Sequence, residues 1–436
     1  MNKIEALYIH IPFCDHICSY CDFYKMIAKK DLKEKYIDYL IKELDIKKNY
    51  FGNLKTIYIG GGTPSNLSLE LLEKLFNKIN KLVDMNRIFE YTIEANPVDI
   101  NVDFVKLIKN NHINRVSLGV QSLNDDKLKF LNRNHNKEIC LNAIKILQDN
   151  GIFNINCDLI YGINNEDFSL IKKDIKILSR MNVTHFSTYS LILEEKTILA
   201  KKFKENEFIL MDEEKEKKLY YKIIKLLMRN GYHQYEISNF ALKNFESIHN
   251  LTYWNNEHYI GVGANSSYYI DSYRYTNINN LNKYFSGIDK LDLEYLEKIE
   301  VTEEDKIKEE IMLGFRKTEG ISLTRFKNKF NKDIFEIYPF INDLIKHKIL
   351  ILDKDYLKIS FKNILILMIN MYLWEEPMTF LSYIILYFIY LLTIFECISY
   401  DFFVIVINAI GYLFHHILLK NIFINFSISL NNKFTI

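Results

Sequence analysis

Short apolar, β-branched runs alternate with longer stretches whose apolar positions return every three or four residues. The runs 6–11, 56–60, 91–95, 115–120, 154–160 and 185–191 predict strands, and the stretches 32–48, 69–82, 102–110, 137–150, 168–180 and 212–230 predict helices. A helix in each gap implies crossover connections, which join parallel strands. Six such units make an α/β sheet, curved or closed, with its functional side chains at the C-terminal strand ends. Asn150-Gly151 and Asn230-Gly231 close two of the helical stretches.

The pattern changes near Thr302. Charged helical stretches over 303–316, 323–331 and 337–348 precede a strand-like pair around 349–359, and together they resemble a winged helix. It changes again after Asn363, where only Glu375, Glu376, Glu396, Asp401, Lys420 and Lys433 carry charge. The segments 377–395 and 402–419 have none, and each nears the roughly 20 residues that span a bilayer. This tail reads as a membrane hairpin, an out-of-frame tail of an A/T-rich gene, or an apolar element packed on the fold. The expected division is 1–235, 236–300, 301–363 and 364–436.

Composition narrows the function. Lys+Arg 56 against Asp+Glu 55 leaves a net charge of +1, which argues against a nucleic-acid binder working by phosphate neutralisation. With 49% hydrophobic and 25% charged residues the chain is globular, not disordered. The first residues hold Lys3 and Glu5 and no long apolar run, unlike a secretory signal, so a cytoplasmic protein is expected, with membrane association through 377–419 if the tail is a hairpin. Of 6 cysteines, Cys14, Cys18 and Cys21 lie together, a spacing suited to metal rather than disulfides.

Those three form a CxxxCxxC loop just after the first strand. Three thiolates can hold three irons of a [4Fe-4S] cube and leave the fourth iron open to a small ligand. A structural zinc would want four ligands, and His16, inside the loop, is the one that could be imagined as the fourth. Gly60-Gly61-Gly62-Thr63-Pro64 follows the second strand, where bare backbone can approach a ligand. Glu94 ends the third strand, Gln121 ends the fourth, and Arg133 follows in Leu131-Asn132-Arg133. Asp158 lies within the fifth strand, where a buried carboxylate needs a partner; Arg133 is a candidate partner or co-ligand. His249-Asn250-Leu251-Thr252-Tyr253-Trp254 sets one imidazole beside two flat aromatic faces. Such a segment suits iron ligation and porphyrin packing, or simply a helix start with an aromatic core pair.

The text from Tyr8 through Cys14, Cys18 and Cys21 resembles the radical S-adenosylmethionine (SAM) superfamily, and within it the oxygen-independent coproporphyrinogen III oxidase-like family, over roughly residues 1–360. The resemblance implies a partial (β/α)6 barrel with a small winged-helix-like domain, here with an apolar tail. It assigns Tyr8, Gly61 and Glu94 to the SAM on the cluster. Positions matching Gly62, Thr63, Gln121, Arg133 and Asp158 reach a second SAM in the oxidase relatives. Phe23 stands where the oxidase carries a further Cys, as in the haem-chaperone branch. His249, Tyr253 and Trp254 match that branch's haem signature. The resemblance thus implies a [4Fe-4S] cluster held by three Cys, exchangeable SAM, and haem destined for an acceptor protein. Coproporphyrinogen oxidation is the alternative.

Overall fold

Among the described residues, twelve strands form one sheet. They are β1 (Ala6–Ile11), β2 (Thr56–Gly61), β3 (Glu90–Ala95), β4 (Arg115–Gln121), β5 (Asn154–Tyr161), β6 (His185–Ser190), β7 (His233–Gln234), β8 (Asn239–Ala241), β9 (Tyr259–Val262), β10 (Ser267–Ile270), β11 (Tyr273–Asn277) and β12 (Tyr295–Glu300). Their order is β12-β11-β10-β9-β1-β2-β3-β4-β5-β6-β8-β7. The computed structural model describes residues 3–163 and 166–363. Strands β1 to β6 are parallel and in sequence order, as the alternating pattern predicts. Strand β9 adds in parallel beside β1, and the outer strands pair antiparallel.

The helices between them are α1 (Lys30–Lys47), α2 (Leu69–Leu82), α3 (Val102–Asn110), α4 (Asp125–Phe130), α5 (Lys137–Asp149), α6 (Phe168–Arg180), α7 (Ile198–Lys204), α8 (Glu213–Arg229), α9 (Ile248–Trp254) and α10 (Leu281–Lys290). Strand alternation sorts the side chains. Ile57, Ile59, Tyr91, Ile93, Val116 and Leu118 are fully buried, and Tyr91 meets Phe76 of α2 edge to face. Their neighbours Tyr58, Thr92, Glu94, Arg115 and Ser117 therefore line the opposite, polar face. Asparagine serves local geometry: Asn101, Asn124, Asn136 and Asn280 cap α3, α4, α5 and α10 through their side chains. Asn150-Gly151 and Asn230-Gly231 end α5 and α8 with the glycines at positive φ, as expected.

The small domain comprises α11 (Glu303–Gly314), β13 (Ile321–Ser322), α12 (Leu323–Phe330), α13 (Ile334–Ile337), α14 (Ile341–Lys346), β14 (Leu350–Asp353) and β15 (Tyr356–Ile359). Its three strands run in the order β13-β15-β14, a winged-helix-like arrangement. The expected helix over 337–348 is interrupted at Pro339, which lacks the N–H that a continuing helix needs. Cations of this domain grip the segment after α9. Arg316 lies 4.4 Å from the Trp254 ring, Lys317 bonds Asn255 at 2.6 Å, Lys329 bonds the Asn256 carbonyl at 2.9 Å, and Arg325 pairs with Glu257 at 2.7 Å. Among the described residues no helix is long and apolar enough to cross a membrane. The stretches 377–395 and 402–419 lie outside those residues.

A buried ion pair ties α1 to the outer strands. Glu43 is fully buried and accepts from Gly263 N at 2.7 Å, Asn277 Nδ2 at 2.8 Å and Tyr284 Oη at 2.6 Å, with Lys47 Nζ 2.7 Å away. Glu43→Ala leaves Lys47 buried without its carboxylate, so unfolding in urea should show a loss of about 3–5 kcal/mol. Glu34→Ala, half-buried on the same helix and paired with the exposed Lys30, should change stability by less than about 0.5 kcal/mol.

Candidate functional site

The cysteine loop leaves β1 and returns against it. Cys14 N bonds Met26 O at 3.0 Å, and Met26 N bonds Pro12 O at 2.7 Å. Farther along, Ser19 N bonds Leu131 O at 3.2 Å, and Asn132 Nδ2 donates to Ile17 O at 2.9 Å. Cys14 is buried, Cys18 and Cys21 are half-buried, and all three are free thiols. Burial pushes the Cys14 thiol up to about 11 and raises Cys21 as well, so loading a cation here releases protons.

The glycine turn after β2 lies directly against this loop. Gly62 N bonds Ile11 O and Thr63 N bonds Phe13 O, both at 2.8 Å. A Cβ on Gly62 would stand 2.9 Å from Phe13 O and 3.0 Å from Cys14 Sγ, so only glycine leaves that sulfur open. Gly60 does the same for Glu94: a Cβ there would stand 2.8 Å from Glu94 Cδ. Glu94 accepts from Gly61 N at 3.0 Å and from Tyr58 Oη at 2.7 Å. Burial lifts its carboxyl to about 7; the two donors and Arg115 offset part of that, and Asp158 adds to it.

Two cysteines are linked through three side chains. Thr63 Oγ1 donates to Cys14 Sγ at 3.4 Å, and Asn96 Nδ2 donates to Thr63 Oγ1 at 3.4 Å. Arg133 donates to Asn96 Oδ1 at 2.6 Å, to Gly119 O at 2.8 Å and to Cys18 Sγ at 3.1 Å. Its Nε has no partner. The expected Arg133–Asp158 pair is not formed. Asp158 takes Asn156 Nδ2 at 2.7 Å instead, because residues two apart on β5 share a face. Gln121 is buried, at φ 62, where the β4–β5 register shifts. Tyr8 Oη and His10 Nδ1 lie 2.9 Å apart, and His10 Nε2 lies 3.1 Å from Tyr24 O, bracing the loop's exit.

These residues suit a cluster better than a single ion. Among the described residues no three His, Cys, Asp or Glu side chains are placed to hold one metal ion. A zinc site needs such convergence, whereas a cubane takes each thiolate on its own iron. His16, the imagined fourth ligand, is exposed. Donors on two sulfurs and the space at Gly62 fit a negatively charged iron–sulfur group.

The His249–Trp254 segment stands at the other end of the strands. Glu90, the first residue of β3, accepts from Ser247 Oγ at 2.9 Å and Ile248 N at 2.7 Å. His249 is fully buried, with Nδ1 2.8 Å from Thr56 Oγ1 and Nε2 2.7 Å from Tyr253 Oη. Burial, with Arg115 second, drops its pKa to about 3, so the ring is neutral. Both ring nitrogens are engaged in hydrogen bonds. Trp254 Nε1 has no partner. Sequence reasoning passed over Asn96, Tyr58 and Arg115. The signal for Arg115 was available, since a charge among Val116, Leu118 and Val120 is as unusual as Asp158.

Residues 8–178 match the radical SAM superfamily model, and residues 301–365 match the HemN C-terminal domain. The protein named haem chaperone HemW from Lactococcus lactis subsp. lactis is 37% identical over 370 residues, spanning 83% of this chain and 95% of that one. HemW of Bacillus subtilis is 37% identical over 341 residues, 78% and 90% of the two chains. The solved coproporphyrinogen III oxidase HemN of Escherichia coli shares the fold at 20% identity, with a TM-score of 0.73 over 85% of this chain and 89% of that one. The chain belongs to the radical SAM superfamily and, within it, to the family of the haem chaperone HemW.

Proposed function

We propose that this protein binds haem and passes it to an acceptor protein, holding a [4Fe-4S] cluster and exchangeable SAM in the same chain. The observation that carries the reading is the HemW likeness, which runs through nearly the whole length of the Lactococcus relative. Phe23, in place of the oxidase's further Cys, supports it against coproporphyrinogen oxidation.

Cys14, Cys18 and Cys21 would hold the cluster, whose open iron supplies a redox-active position for a small chelating ligand. Thr63 and Arg133 stabilise negative charge on the sulfurs through their hydrogen bonds. Tyr8, Gly61 and Glu94 would hold SAM, with the Glu94 carboxylate accepting from hydroxyl groups. Gly62, Thr63, Gln121, Arg133 and Asp158 would line its neighbourhood. His249, Tyr253 and Trp254 would serve haem, which requires His249 to give up one of its two hydrogen bonds. The acceptor is a protein of unassigned identity, and a cytoplasmic setting accords with the thiol-rich site.

Four outcomes are expected. Cys18→Ala, purified without oxygen, should lose most of its iron and sulfide by chemical analysis; full retention would sink the cluster assignment. SAM affinity should depend on pH through Glu94. Its pKa of about 7 stands above the ordinary carboxylate value, so the proton stays on below that pH and the carboxylate appears above it. Equilibrium dialysis should show SAM binding weakening several-fold from one unit above to one unit below, while Glu94→Gln binds weakly at both. For haem, His249→Ala should lower affinity about tenfold or more, roughly 1.4 kcal/mol. Tyr253→Phe frees Nε2 and should speed association in stopped-flow absorbance. Decarboxylation of coproporphyrinogen with SAM over many turnovers would overturn the carrier reading.

A further inference from the structure

Strand β2 carries three residues on its inward face, and they touch both ends of the site. Thr56 bonds His249 Nδ1 at 2.8 Å, and Gly60 leaves room for Glu94. Between them, Tyr58 does both jobs. Its ring stacks on the His249 imidazole with centroids 5.1 Å apart and planes 28° apart, while its hydroxyl donates to Glu94 Oε1 at 2.7 Å. The Tyr8 ring lies 6.2 Å from it on the third side. One side chain thus bridges a carboxylate expected to bind SAM and an imidazole expected to bind haem.

We propose that Tyr58 couples the two sites. This inference rests on the haem and SAM reading above. A ligand hydroxyl on Glu94 competes with the Tyr58 hydroxyl for the same carboxylate. Releasing that bond frees the ring to shift, and the ring is what packs His249 against Thr56 and Tyr253. Binding of SAM therefore loosens the arrangement that keeps both His249 nitrogens occupied, and haem binding is favoured. Linkage makes the effect reciprocal. Tyr58 touches neither reacting atom nor iron in this scheme; it is a positioning residue.

The test uses the full chain, cluster-loaded and purified without oxygen. Haem affinity is measured by absorbance titration with and without saturating SAM, and SAM affinity with and without haem. In the wild type, SAM should tighten haem binding about fivefold or more, with the same factor in the reverse titration. Tyr58→Phe keeps the ring on His249 and removes only the hydroxyl. It should still bind each ligand alone, with the coupling factor reduced to about one. A merely structural role would change the separate affinities and leave the factor intact. If both ligands bind wild type but SAM leaves haem affinity unchanged, or if Tyr58→Phe retains the full factor, the coupling is overturned while the haem and SAM reading stands. If either ligand fails to bind wild type, that reading falls and the coupling falls with it. Circular dichroism checks that Tyr58→Phe is folded, and Tyr91→Phe, on the opposite face of β3 against Phe76, serves as the control that keeps the factor.

Discussion

The parallel pairing of β1 with β2 is the constraint on which the site is built. Its register sets His10 opposite Gly60 and Ile11 opposite Gly61, so both strands end at the same height. The cysteine loop and the glycine turn must then share one volume. They can do so only because Gly62 has no side chain to meet Phe13 and Cys14 Sγ. Every later contact at the mouth follows from that closeness, including Thr63 on Cys14 and the path through Asn96 to Arg133 and Cys18.

Desolvation sets the charge states along the inward face. It lifts Glu94 to about 7 and pulls His10 to about 4 and His249 to about 3. The imidazoles are therefore neutral donors or acceptors, and the one carboxylate at the strand end is poised between states at ordinary pH. Arg115 lies buried beneath them with its Nε unpartnered, and its charge favours ionised Glu94 and Asp158 while opposing protonation of His249. A neutral histidine is the form that can ligate iron, so burial keeps the nitrogen chemically competent even while hydrogen bonds occupy it.

Much of the fold was legible because β1 to β6 are buried runs of β-branched residues separated by amphipathic helices, and that signal needs no tertiary context. The outer strands were not legible. Strand β10 and strand β11 are tyrosine-rich, with aromatic and polar residues intermixed, and they acquire their identity only by pairing with β9 and β12. Within the site, the cysteines, glycines and Glu94 announced themselves by position at strand ends. Partnership did not. Arg133 was matched to Asp158 by charge, but Asn156 stands on the same face two residues away and satisfies that carboxylate without leaving the strand. Likewise the motif around His249 is compatible by sequence with an iron ligand or with a helix start beside an aromatic core pair, and only Thr56 and Glu90, from strands far away in sequence, show how it is drawn into the base of the barrel.

The grip of Arg316, Lys317, Arg325 and Lys329 on the segment after α9 has a consequence for how such a protein can evolve. Two modules recognisable as separate units of text are joined here through a helix that belongs to neither matched stretch, with cations supplied by one side and aromatic or carbonyl groups by the other. Recombination that exchanged the C-terminal module between relatives would carry the cations away from the backbone they hold. Inheritance should therefore keep the two halves together, and drift in residues 316–329 should be matched by drift in residues 254–257. A gene split between the barrel and the winged-helix-like module would separate a clasp from its hook.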